Sequence, residues 1–178
     1  MPTPWTYPTI ASQYSESEHQ VPWLHNNEPF ADVELDLASR SYEINQIHSA
    51  KDILHISNPT VNDIKMKTSY LVLTGFNWKN LPDNISGIEA RINVRRTGRI
   101  TDDTVKLYYS GAIGDNRATL DLSNDKTYGA DNDIWGLELI TTSMLNNVNF
   151  GLVLRYQSHP NYPHRVTPNM EHVQLRVW

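Results

Sequence analysis

Apolar and polar side chains alternate along several short runs of this chain. Ile88, Ala90, Ile92 and Val94 alternate with Glu89, Arg91, Asn93 and Arg95, the clearest period of two in the sequence. Successive side chains of a strand point to opposite faces, so this run predicts a strand with one buried face. Val33, Leu35 and Leu37 alternate with Asp32, Glu34 and Asp36 in the same way. Val105, Leu107 and Tyr109 alternate with Lys106 and Tyr108, and Val173, Leu175 and Val177 with His172, Gln174 and Arg176. LVLTGF (71–76) predicts a more deeply buried strand, and further strands are expected near 118–122, 134–140 and 150–156. The stretches LPDNISG, RTGRITDD, SGAIGDN and SNDKTYGADND, rich in Gly, Asn and Asp, supply turns between them. SAKDILHI (49–56) has the makings of one or two helical turns. TTSMLNN (141–147) has those of one, with Thr142 or Ser143 as N-cap. Many short strands separated by turn signals predict an all-β, antiparallel, jelly-roll-like β-sandwich over residues 31–178.

The first thirty residues have a different texture. Five prolines are interleaved with Trp5, Tyr7, Tyr14, Trp23 and Phe30. Proline removes backbone donors and resists helix, whereas disordered tails are poor in aromatic residues. An extended N-terminal arm (1–30) that docks on a partner fits both facts, and the five aromatics are then its interface anchors. An edge strand and loops packed on the chain's own domain is the competing reading.

Length and charge narrow the picture. A chain of 178 residues suits one domain of ordinary size. It has no cysteine, so it has no disulfide framework and no thiolate chemistry. A net charge of −5 disfavours nonspecific binding to nucleic acid. Arg91, Arg95, Arg96 and Arg99 form a local basic patch. On a strand Arg91 and Arg95 share one face with Arg99, and Arg96 points the other way. No apolar run reaches the ~20 residues of a membrane helix. MPTPWTYPTI lacks the features of a signal peptide, so assembly in the cytoplasm is expected. Asn84-Ile85-Ser86 matches a glycosylation sequon and is read instead as a turn.

The residues give catalysis little to work with. In GADNDIWGLELITTSMLNNVNFGLVL (129–154), Asp131 and Asp133 suggest calcium, but the loop pattern is not completed, and an acidic turn is expected. Asp133 and Glu138 are five apart and would face opposite sides of a regular strand, which argues against a glycosidase pair. His159, His164 and His172 lack the H-x-H and H-x-x-x-H spacings of metal sites. No nucleophile elbow, P-loop or dinucleotide fingerprint is present. No catalytic, cofactor-binding or metal-binding residue is therefore expected. A sugar-binding module is the alternative, with Trp78, Tyr108, Tyr128, Tyr162 and Trp178 as candidate stacking rings.

The second half carries an ordered set of short motifs. A strand headed by Gly87-Ile88 is followed by D-D-x-V-x-L (102–107), G-D-N-x-A (114–118), D-x-W-G (133–136) and L-N-N-x-x-F-G (145–151), with a V-x-L-x-V closing strand. This set resembles a β-sandwich module of virion structural proteins of tailed bacteriophages, over roughly residues 70–178. The resemblance implies a non-enzymatic virion protein, assembled in the host cytoplasm. It would dock on other virion proteins as a capsid decoration, fibre, neck or tail accessory, without nucleic acid or membrane, and as a homo-oligomer with a trimer as first guess. It implies scaffold roles for Gly87, Asp103, Asp133, Trp135, Gly136, Phe150 and Gly151, with Trp135 anchoring the core. Residues 141–147 would carry the chain between sheets.

Overall fold

The computed structural model describes residues 1–16, 20–35, 47–49, 67–95, 100–120, 123–159 and 167–178. In chain order these form β1 (Ile10–Tyr14), β2 (Trp23–His25), β3 (Glu28–Pro29), β4 (Asp32–Glu34), β5 (Ile47–Ser49) and β6 (Tyr70–Thr74). There follow β7 (Ile88–Arg95), β8 (Ile100–Tyr109), β9 (Ala112–Ile113), β10 (Asp125–Gly129), the short helix α1 (Thr142–Leu145), β11 (Phe150–Ser158) and β12 (Asn169–Val177). The strands build two antiparallel sheets of six. The first has the order β4-β1-β6-β11-β8-β9 and the second β10-β7-β12-β5-β2-β3. The sheets pack against each other, so the expected all-β antiparallel sandwich is the fold of this chain.

From β6 onward the chain crosses between sheets at each step, apart from the β8–β9 hairpin. Alternation explains the core. Leu71, Leu73, Leu107 and Leu152 enter it from the first sheet, and Ile88, Ala90, Val173 and Leu175 from the second, all fully buried. Each large apolar side chain buried this way contributes about 1.5–3 kcal/mol of transfer free energy. Between β10 and β11, residues 141–147 make the crossing as expected, through α1. Its N-cap is Thr141, whose side chain accepts from the Met144 amide, rather than Thr142 or Ser143.

Trp135 lies in the core, fully buried, and its indole Nε1 donates to the Ile88 carbonyl at 2.8 Å. It gets there by a turn rather than a strand. Its φ is 58°, and its backbone N–H donates to Asp133 Oδ1 at 2.7 Å. The strand expected over 134–140 is therefore replaced by turns and irregular chain. Gly136 follows with φ 72°, and a Cβ there would strike the Asp115 carboxylate. Residues 118–120 are likewise not strand, and 121–122 lie outside the described residues. The strand in this region is β10, inside the stretch expected to be a turn. It pairs with β7 from Asp125↔Asn93 to Gly129↔Glu89. Of the helical turns expected over 49–56, Ser49 ends β5 and the rest lies outside the described residues.

Residues 1–16 and 20–30 are part of the sandwich. Thr6 exchanges backbone hydrogen bonds with Leu175 of β12, and the Thr3 amide donates to the Val177 carbonyl at 2.8 Å. β1 then pairs with β6 and β4 in the first sheet, and β2 and β3 belong to the second. The backbone is extended, as expected. Among its described residues it packs on the chain's own sheets rather than standing apart as an arm, through these pairings and through Trp23, which is fully buried in the core.

Candidate functional site

With the inward side chains committed to the core, chemistry available to a partner lies on the two outer faces. On the second sheet, Glu89 and Arg91 of β7 stand opposite Arg176 and Gln174 of β12. The N-terminal stretch along β12 lays the Trp5 ring over this face, with the Arg91 and Arg176 guanidinium carbons each 4.6 Å from its centroid. Arg176 also lies 4.9 Å from the Trp178 ring and donates through Nε to Glu89. Trp178 Nε1 donates to the same carboxylate oxygen at 2.7 Å. Burial alone would raise the Glu89 pKa, but the hydrogen bonds from Arg176 and Trp178 outweigh it and hold the carboxyl below its ordinary value. Gln174 Nε2 donates to the Tyr7 hydroxyl. Arg95, further along β7, pairs with Glu171 at 2.5 Å. Among the described residues, Arg91 has no hydrogen-bond or ion-pair partner, and it is exposed.

The outer face of the first sheet is built differently. Tyr14 of β1 stacks on Tyr70 of β6 with ring centroids 4.8 Å apart, and Arg155 of β11 lies 4.2 Å from the Tyr70 centroid. Val72 and Val153, with the partly buried Tyr108, form a small apolar cluster with Tyr70, separate from the main core. Burial pushes the Tyr70 hydroxyl up to about 12, although the Arg155 charge acts the other way. A register shift organises the charges. β11 and β8 pair Arg155↔Thr104 and then Tyr156↔Asp102, so Asp103 is the extra residue of a bulge. Asp103 accepts from Arg155 Nε at 2.6 Å and Lys67 Nζ at 2.5 Å. Burial would raise its pKa, and these hydrogen bonds and charges lower it below the ordinary value.

Asp102, its neighbour, meets other partners. It accepts from the Tyr128 hydroxyl and from Lys126 Nζ at 3.2 Å, both of β10 in the opposite sheet. These groups line a small cavity with Ile92, Val94, Ile100 and Tyr156. Among the described residues the buried Tyr156 hydroxyl has no hydrogen-bond partner, and burial raises its pKa well above the usual tyrosine value.

The five interface candidates fall in four places. Trp5 and Tyr7 lie on the outer face of the second sheet, and Tyr14 on that of the first, where it remains 40% exposed. Phe30 is partly buried against the core, edge-on to His25. Trp23 is core and offers nothing to a partner. Of the candidate stacking rings, Trp78 and Tyr128 are buried. Tyr108 and Trp178 belong to the two outer faces. Tyr162, His164, Arg96 and Arg99 lie outside the described residues. The Asp133 carboxylate accepts from Arg117 at 2.6 Å and from the Trp135 amide, so it serves the turn it begins. Among the described residues no group of three or more His, Cys, Asp or Glu is placed to hold a metal, and no helix is long and apolar enough to cross a membrane. Tyr70 and Arg155 were not picked out from the sequence. The signal for Tyr70 was parity in the buried strand, since it alternates with Leu71 and Leu73 and so must face outward.

Fold and surface together define a class: a two-sheet antiparallel β-sandwich carrying an aromatic–arginine stack on each outer face. The chain matches no family model, no curated protein and no solved structure.

Proposed function

We propose that this protein is a non-enzymatic structural component of a bacteriophage virion, docking on a capsid, neck or tail surface through the outer face of its first sheet. The observation that carries the docking surface is the Tyr14–Tyr70–Arg155 stack. Tyrosine and arginine dominate the anchoring residues of protein interfaces. Here the two rings are already stacked and Arg155 is tied to Asp103, so little side-chain freedom remains to be lost on association. The ordered motifs between residues 87 and 151 support the virion assignment by resemblance. Of the residues first expected to anchor an arm, Tyr14 takes that role in this reading, and the sandwich itself is the docking unit. The reading includes assembly in the host cytoplasm and a homo-oligomer, and it calls for no cofactor, nucleic acid or membrane.

Co-expression with the structural proteins encoded beside it, followed by particle purification, tests the proposal. The wild-type chain should co-purify at fixed stoichiometry. Tyr14→Asp, an exposed change, should keep the wild-type circular dichroism and lose incorporation. A wild-type chain missing from purified particles would refute the virion reading. Normal incorporation of Tyr14→Asp would refute this face as the contact.

A further inference from the structure

The opposite face of the sandwich carries an exposed guanidinium, that of Arg91, with no hydrogen-bond or ion-pair partner among the described residues. Arg91 and Arg176 both lie against Trp5, and Glu89 is the carboxylate beside them. Glu89 Oε2 is already engaged by Arg176 and Trp178. Around the Trp5 ring two guanidiniums meet one carboxylate, an excess of one positive charge at that spot; Glu171 is occupied by Arg95, and Asp125 stands one pair further along, opposite Asn93. In a chain of net charge −5 this is a local exception. Arg91 holds it in an exposed position, beside an indole that also keeps part of its surface in solvent.

We infer that this face binds an acidic saccharide, with Arg91 receiving the carboxylate and Trp5 the C–H face of the sugar ring. The neighbours of Arg91 suit that ligand. Thr127 and Gln174 flank it across the strands, Asn93 stands one step along the same face, and Tyr7 is bonded to Gln174. The exposed Thr127 hydroxyl and the partly exposed Asn93 amide match sugar hydroxyls, while Gln174 is buried and its amide is spent on Tyr7. A planar guanidinium can take a carboxylate through two parallel N–H donors, which makes the contact selective for charge and shape. An acidic peptide is less well served. β7 is paired with β10 on one side and β12 on the other, and β12 meets β5 and the N-terminal stretch on its far side, so among the described residues Arg91 lies beside no free strand edge. Asp125, opposite Asn93 in β10, closes the favourable field at that edge. The inference does not depend on the virion reading and stands or falls separately.

Calorimetric titration of the full chain with tetragalacturonate and with sialyllactose tests it, with neutral galactose oligomers and a tetraglutamate peptide as comparisons. At least one acidic saccharide should bind, and the neutral oligomers should not. Arg91→Gln should weaken that binding by about tenfold or more with the fold intact, because a charge-assisted bidentate contact is lost. Trp5→Phe, which keeps a smaller ring, should weaken it less. Failure of both acidic saccharides to bind overturns the inference. So does binding that Arg91→Gln leaves unchanged. Tighter binding of the peptide would reassign the face to an acidic protein partner and overturn the saccharide assignment.

Discussion

Gln13 and Trp23 hold each other across the two sheets. The Trp23 backbone N–H donates to Gln13 Oε1 at 2.8 Å, and Gln13 Nε2 donates back to the Trp23 carbonyl at 2.9 Å. The same Nε2 donates to the Phe30 carbonyl at 2.7 Å. One side chain on β1 thus completes the backbone of β2 and the segment after β3, while the Trp23 indole donates to the Ser69 carbonyl. A proline-rich segment short of strand partners is fixed by an amide placed to serve both its donors and its acceptors.

Gln13→Leu should therefore destabilise the protein by about 2–3 kcal/mol, because it strands several part-buried backbone groups rather than removing one neutral bond. Urea unfolding reads this as a lower midpoint with an unchanged slope. Deleting residues 1–30 should do far more, since it removes β1, β2, β3 and Trp23 together. Loss of near-ultraviolet circular dichroism is the expected sign. A truncated chain with native-like spectra and cooperative unfolding would show that the N-terminal segment is dispensable.

The elements visible in the sequence are those whose surroundings differ on their two faces. β7 has core on one side and water on the other, so Ile88–Arg95 shows alternation that matches the strand ends. β10 was hidden because Asp125–Gly129 is an edge strand with a mostly polar sequence that ends on a glycine at φ 78°. The apolar residues of 134–140 misled in the opposite direction. Trp135 reaches the core from a left-handed turn secured by Asp133, a tertiary solution that a run of apolar letters does not announce. Trp5 was legible as an interface candidate of the proline-rich segment, but its arginines lie 86 and 171 positions away, and only pairing along β12 brings them together.

Gly151 tests how closely the sheet backbones approach. It sits opposite Thr74 in the β6–β11 ladder, and a Cβ added there would fall onto the Leu73 carbonyl oxygen. The obstacle is backbone in a central strand, so relief requires the two strands to part. Gly151→Ala should cost about 3 kcal/mol or more, at the severe end of overpacking substitutions. A thermal midpoint within a degree or so of wild type would mean that the ladder yields locally.

Acid should weaken the protein through Asp103. Its folded pKa lies below the ordinary value of 3.8, because hydrogen bonds from Lys67 and Arg155 overcome the effect of burial. A carboxyl depressed in the folded state contributes stability that is complete above its unfolded pKa and is lost as pH falls through the folded value. The loss should thus begin near pH 4 and continue below it. Glu89, also depressed, adds to the same limb from the other sheet. Urea midpoints recorded between about pH 2 and pH 6 should fall on the acid side, and Asp103→Asn should flatten part of that slope. An unchanged slope in Asp103→Asn would show that the bulge charges add no pH-dependent stability.

Two tyrosines beside one carboxylate should respond oppositely to loss of their hydroxyls. Tyr156 and Tyr128 both line the cavity at Asp102. Among the described residues the buried Tyr156 hydroxyl meets no hydrogen-bond partner, so it carries a desolvation cost that none of them offsets. Tyr156→Phe removes that cost and keeps the ring against Trp23, whose centroid is 6.1 Å away. It should be neutral or stabilising by up to about 1 kcal/mol. Tyr128→Phe deprives a buried carboxylate of a donor and leaves Lys126 as its remaining charged partner. That should cost about 1–3 kcal/mol, the penalty of an under-satisfied buried acceptor. Paired urea titrations of the two variants give the comparison directly. Should Tyr156→Phe prove the more destabilising, its hydroxyl must be satisfied in solution, and an ordered water between Tyr156 and Asp102 becomes the explanation to seek by high-resolution crystallography.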